Sequence, residues 1–370
     1  MKTKAAIAWE NNKPWSIEEV DLDDPREDEV LVRLAASGLC HSDDHIITGD
    51  MPVPLPVIGG HEGSGVVEAV GDRVTSVKPG DHVVFSFLPA CGRCRWCSTG
   101  RQNLCDFGAL IMAGTRPDGS HRVHVGDQGI PTMSGIGTFS LHSVAHETSV
   151  VKIDEDIPLE LAALVGCGVT TGWGSAVNTA KVRPGETVVV VGIGGIGMSA
   201  VQGARLAGAE RIIAVDPVAF KREQAEAFGA THTAASMEEA IPLVNELTMG
   251  VMADAAILTA GVVKGDMIAP LMSLVSKGGR TVVTGVSPMM DTQVTMSLFE
   301  LTIWQKEVRG SLYGASNPRA DIPRLLDLYR RGQLRLDEMV TTRYSLEGIN
   351  DGYAAMHAGT NIRGLMVYPV

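Results

Sequence analysis

The sequence predicts an α/β fold in two parts: a β-rich part, and a doubly wound parallel sheet. Three observations carry this. Short β-rich runs bounded by polar turns fill the first part of the chain. From about residue 170, apolar strands alternate with helical stretches, the pattern of a parallel sheet covered by helices. The first of those strands enters its helix through a turn of glycines, "VVVVGIGGIGMSA".

In chain order, "KTKAAIAWE", "WSIEEVDL", "DEVLVRLAASG", "GSGVVEAVG" and "GDHVVFSF" read as strands, with "MPVPLPVIGG" a rigid loop among them. "ETVVVVG", "RIIAVD", "ADAAILTAG" and "GGRTVVTGV" read as buried strands, with helices such as "PVAFKREQAEAFGA" between them. "PRADIPRLLDLYRRGQL" reads as a helix with Pro318 near its start and Gly332 near its end, and "RGLMVYPV" as a last strand. No repeat, low-complexity segment or flexible linker interrupts the chain.

At 370 residues the chain suggests about two domains. Its composition, 45% hydrophobic and 20% charged, is that of a soluble globular protein. A net charge of -12 argues against nucleic acid or an anionic membrane as partner. The start "MKTKAAIAWENNKPW" lacks a signal-peptide core, and no run approaches the roughly 20 apolar residues of a spanning helix. The expected location is the cytoplasm, where six cysteines point to metal or catalysis rather than disulfides.

Three constellations carry chemistry. Gly192, Gly194 and Gly197 have the G-x-G-x-x-G spacing, with Gly195 and Ile196 inside it, directly after a strand and opening a helix. Such glycines allow a tight turn and close approach to a pyrophosphate, and the helix N-terminus offers free N–H groups. Asp216 ends the next strand, 19 residues after Gly197, where an acid accepts bonds from the adenosine ribose. Its carboxylate favours NAD over NADP, although Lys221 and Arg222 weaken that exclusion.

Cys91, Cys94, Cys97 and Cys105 lie within fifteen residues, at spacings that let one loop wrap a tetrahedral ion. Four thiolates leave no open position, so a zinc there is structural; an iron–sulfur cluster takes the same four thiolates. The two remaining cysteines, Cys40 in "GLCHSDDH" and Cys167 in "VGCGVTTGWG", end apolar segments, as does His61 in "GGHEGSGVV". Two thiolates and an imidazole make a three-ligand zinc site with one open position, a catalytic set.

With these motifs, and with the terminal "NIRG", the whole chain resembles the zinc-dependent medium-chain alcohol dehydrogenases, for which the Cys2His set is itself the established example. The resemblance implies a GroES-like β-rich catalytic domain formed by residues 1–168 and 312–370, and a Rossmann NAD-binding domain over 169–311. It implies two zinc ions per chain. Cys40, His61 and Cys167 would hold the catalytic zinc, and Cys91, Cys94, Cys97 and Cys105 the structural one. Glu62 would stand behind the catalytic metal and Asp43 would orient His61. Ser42 and His45 would relay the alcohol proton through a ribose hydroxyl, although Ser42 also suits the cap of a helix beginning at "DDHII". Thr171, Val286 and Tyr313 would lie near the nicotinamide and Arg363 near the pyrophosphate. His41 takes a position where many relatives carry a pyrophosphate-binding arginine. Met51, Phe87 and Met112 would line an apolar substrate pocket.

A narrower resemblance, carried by "NLCDFGA", "VGCGVTTGWGSAV" and "FKRE…FGATHT", is to the actinobacterial NDMA-dependent alcohol dehydrogenases, or nicotinoproteins. It implies a nicotinamide that stays bound and is reoxidised in place by an external acceptor such as mycofactocin. The strand-like "EVRGSLYG" suggests a homodimer or homotetramer. Two alternatives stay open on the sequence: a thiol-dependent formaldehyde dehydrogenase, and a non-catalytic dinucleotide-binding redox sensor. A zinc-free quinone reductase is disfavoured by the full set of seven zinc ligands.

Overall fold

The structure, a computed structural model, describes residues 1–116 and 118–369. It divides into two compact units, Met1–Cys167 with Asn317–Val370, and Gly168–Ser316.

The first unit is built on two sheets. One runs in the order Val57–Ile58, Lys2–Ala8, Ser16–Leu22, Val123–Val125, Gln128–Ile130, antiparallel throughout. The other is organised by the strand Glu29–Gly38, "EVLVRLAASG", which is apolar on both faces and buried at nine of its ten positions. Gly63–Val70 pairs along one edge of it. His142–His146 and Arg363–Val367 share out the other edge. Gly63 thus stands opposite Ser37, and Leu365 opposite Gly38. This register draws the end of the strand, the "GGHE" loop and the "NIRG" segment to one place. The core beside it includes Trp15, Phe85, Phe139 and Tyr353.

The segment that follows Gly38 runs extended through Cys40 and enters the helix His41–Thr48, which stops at Gly49 with φ +81°. Left-handed backbone there suits glycine. Ser42 therefore lies inside the first turn rather than at the cap. Cys40 is the capping residue, and no side chain caps this helix.

The second unit holds six parallel strands. In sequence they are Thr187–Val191, Arg211–Val215, His232–Ala234, Ala253–Leu258, Val275–Val283 and Glu307–Gly310; in space their order is 3-2-1-4-5-6. That is the doubly wound dinucleotide-binding order, with the strand order reversing beside the first strand. Thr187–Val191, "TVVVV", is buried at every position, as a central parallel strand must be.

"EVRGSLYG" is strand only over Glu307–Gly310. Beyond it the backbone turns left-handed at Tyr313, Gly314 and Ala315, with φ of 55°, 63° and 50°. The reason is close packing. A Cβ on Gly314 would stand 2.6 Å from the Thr171 carbonyl and 2.7 Å from Gly174 Cα, so the segment leaves the sheet to lie on the helix Gly168–Gly174.

Candidate metal centres and dinucleotide site

The thiols of Cys91, Cys94, Cys97 and Cys105 lie within 4.8 Å of one another. Backbone N–H groups of Cys91, Cys94 and Cys97 donate to Sγ of Cys105, Cys91 and Cys94 respectively, each at 3.4 Å. Such N–H···S contacts favour thiolate. Backbone donors, that of Cys97 foremost, bring Cys94 down to about 6, whereas burial pushes Cys97 up to about 12. A ring of four thiols with opposed tendencies is a donor set that a soft cation completes. Trp96 in the same lobe lies under two guanidinium groups, those of Arg95 at 5.3 Å and Arg101 at 5.1 Å.

The second cluster is built by the register of the first unit. Ligand atoms of Cys40, His61, Glu62 and Cys167 all lie within 4.8 Å of one another, and all four residues are buried. Asp43 sits behind the histidine. His61 Nδ1 is 3.2 Å from Asp43 Oδ1 and 3.1 Å from Oδ2, and Oδ1 also accepts the Gly60 N–H at 2.8 Å. Nδ1 thus carries a proton, which leaves the Nε2 lone pair as the ligand. His61 Nε2 is buried and has no hydrogen-bond partner. A buried orphan nitrogen beside two thiols fits a metal ion.

The hydrogen bond from Cys167 draws Cys40 well below the usual thiol range, and the same contact pushes Cys167 well above it. Burial opposes charge on His61, but the Asp43 carboxylate and the Cys40 thiol together outweigh it and, with no metal bound, raise the imidazole well above its ordinary value. Burial raises Asp43 in turn, and His61 opposes that rise.

Arg363 forms a buried ion pair with Glu62. Burial works against its charge, and Glu62 with the two thiols outweighs that and raises it. Sequence reasoning missed this pairing because the two residues are 301 apart. Gly38 makes room for it: a Cβ there would collide with the Glu62 carboxylate and stand 2.8 Å from Arg363 Nη2. Phe87 meets the His61 ring edge-on, centroids 5.6 Å apart. Ser42 Oγ lies 3.7 Å from Cys40 Sγ. His41 and Ser42 open the same helix, half-buried. His45 lies three residues after Ser42, one turn on along the same face. It is buried, with Nδ1 3.1 Å from Asp50, a partner the sequence did not disclose. Met51 and Met112 line one small apolar cavity, about 20 Å³, with Ile46, Val53, Ile111 and Met133.

In the second unit, Gly192 takes φ +89°, and a Cβ there would stand 2.7 Å from the Ala260 nitrogen. Gly197 approaches the Gly192 carbonyl too closely for any side chain. Gly194, the residue before the helix Gly195–Leu206, faces open space, and half-buried Ile196 follows in its first turn. A tight turn, a packed helix and an open cradle over its N-terminus fit a pyrophosphate. Asp216 accepts the Ile193 N–H at 2.7 Å and the Val218 N–H at 2.9 Å, and each oxygen keeps a further lone pair for a ribose hydroxyl. Arg222 donates to the Asp216 and Pro217 carbonyls, and Lys221 is half-buried on the same helix. Thr171 and Tyr313 are buried, and Val286 is exposed.

Two zinc-type ligand sets and a dinucleotide turn define an oxidoreductase class, and the comparisons give the family. Residues 26–155 match the alcohol dehydrogenase GroES-like domain and residues 195–331 the zinc-binding dehydrogenase domain. The chain is 53% identical over 368 residues to the NDMA-dependent alcohol dehydrogenase of Amycolatopsis methanolica, covering 100% of this chain and 99% of that one. It is 50% identical over 370 residues to alcohol dehydrogenase B of Mycobacterium tuberculosis, again over 100% and 99% of the two chains. The benzyl alcohol dehydrogenase of Acinetobacter calcoaceticus superposes with a TM-score of 0.93 at 30% identity, over 100% of both chains. The chain belongs to the zinc-type medium-chain alcohol dehydrogenases.

Proposed function

We propose that this chain oxidises an apolar alcohol to its aldehyde or ketone with two zinc ions and a tightly held NAD(H), in the cytoplasm, and hands the electrons to an external acceptor of the mycofactocin kind. The observation that carries the reading is the buried set of Cys40, His61 and Cys167, with His61 Nε2 lacking any partner. These three would hold one zinc, and the four thiols of the Cys91–Cys105 lobe the other. Zinc in the buried set supplies a Lewis acid that makes a hydroxyl more acidic, and the nicotinamide supplies the hydride acceptor.

The chain's own groups do the rest. Asp43 keeps the proton of His61 on Nδ1 and so fixes the tautomer that binds metal. Glu62 and Arg363 neutralise one another behind the thiolates. Ser42 Oγ receives the alcohol proton as its own moves on, and His45, oriented at Nδ1 by Asp50, takes it at Nε2. Met51 and Met112 give an apolar wall that adapts to the alcohol's carbon frame, and Phe87 shields the metal histidine from water. Gly192, Gly194 and Gly197 seat the pyrophosphate, and Asp216 the adenosine ribose; Thr171, Val286 and Tyr313 surround the nicotinamide.

The retained cofactor is supported by 53% identity to a relative named for its dependence on NDMA, a nitroso dye. The test uses desalted protein. Released NAD(H) is measured after denaturation, and alcohol oxidation is compared with free NAD alone and with the nitroso acceptor. Bound nucleotide with turnover only on the acceptor is the expected result. Protein without nucleotide that cycles fast on added NAD would leave an ordinary zinc alcohol dehydrogenase.

A homodimer or homotetramer completes the reading. Glu307–Gly310 is the edge strand of its sheet, and Leu298, Phe299 and Ile303 just before it are 62–69% exposed. An open strand edge beside apolar surface suits a second copy. Light scattering at micromolar concentration should give twice or four times the mass of one chain.

A further inference from the structure

A chain of hydroxyls runs through the second unit. Ser175 Oγ lies 2.7 Å from the Thr171 carbonyl oxygen, 2.9 Å from Thr284 Oγ1 and 3.0 Å from Ser311 Oγ. Thr179 Oγ1 lies 2.8 Å from Ser311 Oγ. The direction of every bond follows from the donor inventory. A carbonyl only accepts, so Ser175 gives its single proton to Thr171. Its two lone pairs then accept from Thr284 and Ser311. Ser311 has given its proton to Ser175 and accepts from Thr179. Ser175 is saturated with three bonds and fully buried, so water cannot replace any that is lost.

The network ties three separate pieces of chain. Thr171 lies on the helix Gly168–Gly174, and Ser175 opens the π-helical turn Ser175–Ala180 that continues it. Thr284 follows the strand Val275–Val283, two residues before Val286. Ser311 follows the strand Glu307–Gly310, two residues before Tyr313. The third piece needs an anchor. Tyr313 and Ala315 hold left-handed backbone, which their Cβ atoms disfavour against the ordinary conformation. Asn178 Nδ2 adds a bond at 3.2 Å to the Gly314 carbonyl. Strain of this kind persists where surrounding bonds over-determine it, and it collects at ligand sites. The glycine turn and Asp216 are held by other means, through Thr259 and the Ile193 N–H.

We propose that Ser175 is a positioning residue for the nicotinamide ring, its hydroxyl holding in register the three segments that carry Thr171, Val286 and Tyr313. This rests on the reading above that those three residues surround the nicotinamide. The network grips the nicotinamide half of the cofactor and leaves the adenosine half to the glycine turn.

The test separates the two halves. Exchange of labelled NADH and of labelled ADP-ribose, which lacks the ring, is measured on purified full-length protein. Ser175→Ala and Thr284→Val should each release NADH about tenfold faster, the scale of one buried hydrogen bond. Release of ADP-ribose should not change. Thr284→Ser, which returns the hydroxyl, should return slow NADH release. Equal acceleration of both ligands, or of neither, would overturn the proposal. If Ser175→Ala does not fold, Thr284→Val, close in shape and lacking only the hydroxyl, decides alone. A wild-type protein that binds neither ligand would instead overturn the cofactor reading itself.

Discussion

Glu62 and Arg363 form an ion pair whose side chains are 0% and 7% exposed, across 301 residues of sequence. Removing one member of such a pair leaves the other charge buried without a partner. Glu62→Gln should therefore lower the stability of the first unit by about 3 kcal/mol. Urea unfolding followed by a probe in that unit measures it. Replacing both residues by leucine should recover most of the loss, because an apolar pair leaves no charge stranded. A single variant as stable as wild type would mean the pair is solvated in solution.

Cys40→Ala removes one thiolate from the buried set and none from the lobe. Metal analysis should fall from two zinc ions per chain to one, and turnover should vanish. Normal turnover in that variant would remove Cys40 from the ligands.

His45→Ala should be milder, a loss of about tenfold to a hundredfold in kcat concentrated at lower pH. Water or hydroxide replaces a terminal proton acceptor more easily than a metal ligand. Added imidazole should restore part of the rate. An unchanged pH–rate profile would place His45 outside the proton path.

Asp81 offers a stability test away from the site. It is buried and accepts Lys152 Nζ at 2.7 Å, and Lys78 Nζ and the Lys78 N–H at 3.0 Å each. Burial alone would raise its carboxyl, but the hydrogen bonds from Lys152 and Lys78 outweigh it and bring the group down to about 2. A depressed folded value below the unfolded value of about 3.9 means stability that is present above pH 4 and lost as pH falls towards 2. The lysines are 52% and 74% exposed, so solvent screening holds the gain to about 1 kcal/mol. Asp81→Asn should be less stable than wild type by that amount at pH 7, and the gap should close below pH 2. A gap that persists in acid would trace the loss to packing.

What the sequence disclosed follows the distance between the residues concerned. The lobe cysteines fall within fifteen positions, and their spacing alone groups them. The glycine turn lies on one strand–helix junction and is legible for the same reason. Cys40, His61 and Cys167 could be collected as leftover ligands, but their grouping needs Ser37 opposite Gly63 in the sheet. Arg363, which the resemblance relates to the pyrophosphate, is held by Glu62, and only the pairing of Leu365 with Gly38 brings the two near. The partner of His45 lay five residues on, in a loop whose path no pattern specified. The hydroxyl network left a faint signal. Thr171, Ser175 and Thr179 recur every fourth residue, one face of a helix lined with hydroxyls. Their partners Thr284 and Ser311 come from the residues just after two strands, more than a hundred residues on.

The strand Arg363–Val367 lies inside its sheet, between Glu29–Gly38 and the edge strand Val340–Tyr344. On the ribosome it emerges after the whole of the second unit. The second unit is continuous, so it can fold while the first still waits for that strand. The lobe closes within a span of fifteen residues, so its four thiols are gathered early. The buried cluster is different: its ligands emerge by Cys167, but the guanidinium that balances Glu62 arrives only at Arg363. A nascent chain stopped short of that residue leaves the sheet open and the Glu62 carboxylate without the Arg363 guanidinium. Charge balance in the buried cluster thereby waits on a strand made about two hundred residues after Cys167.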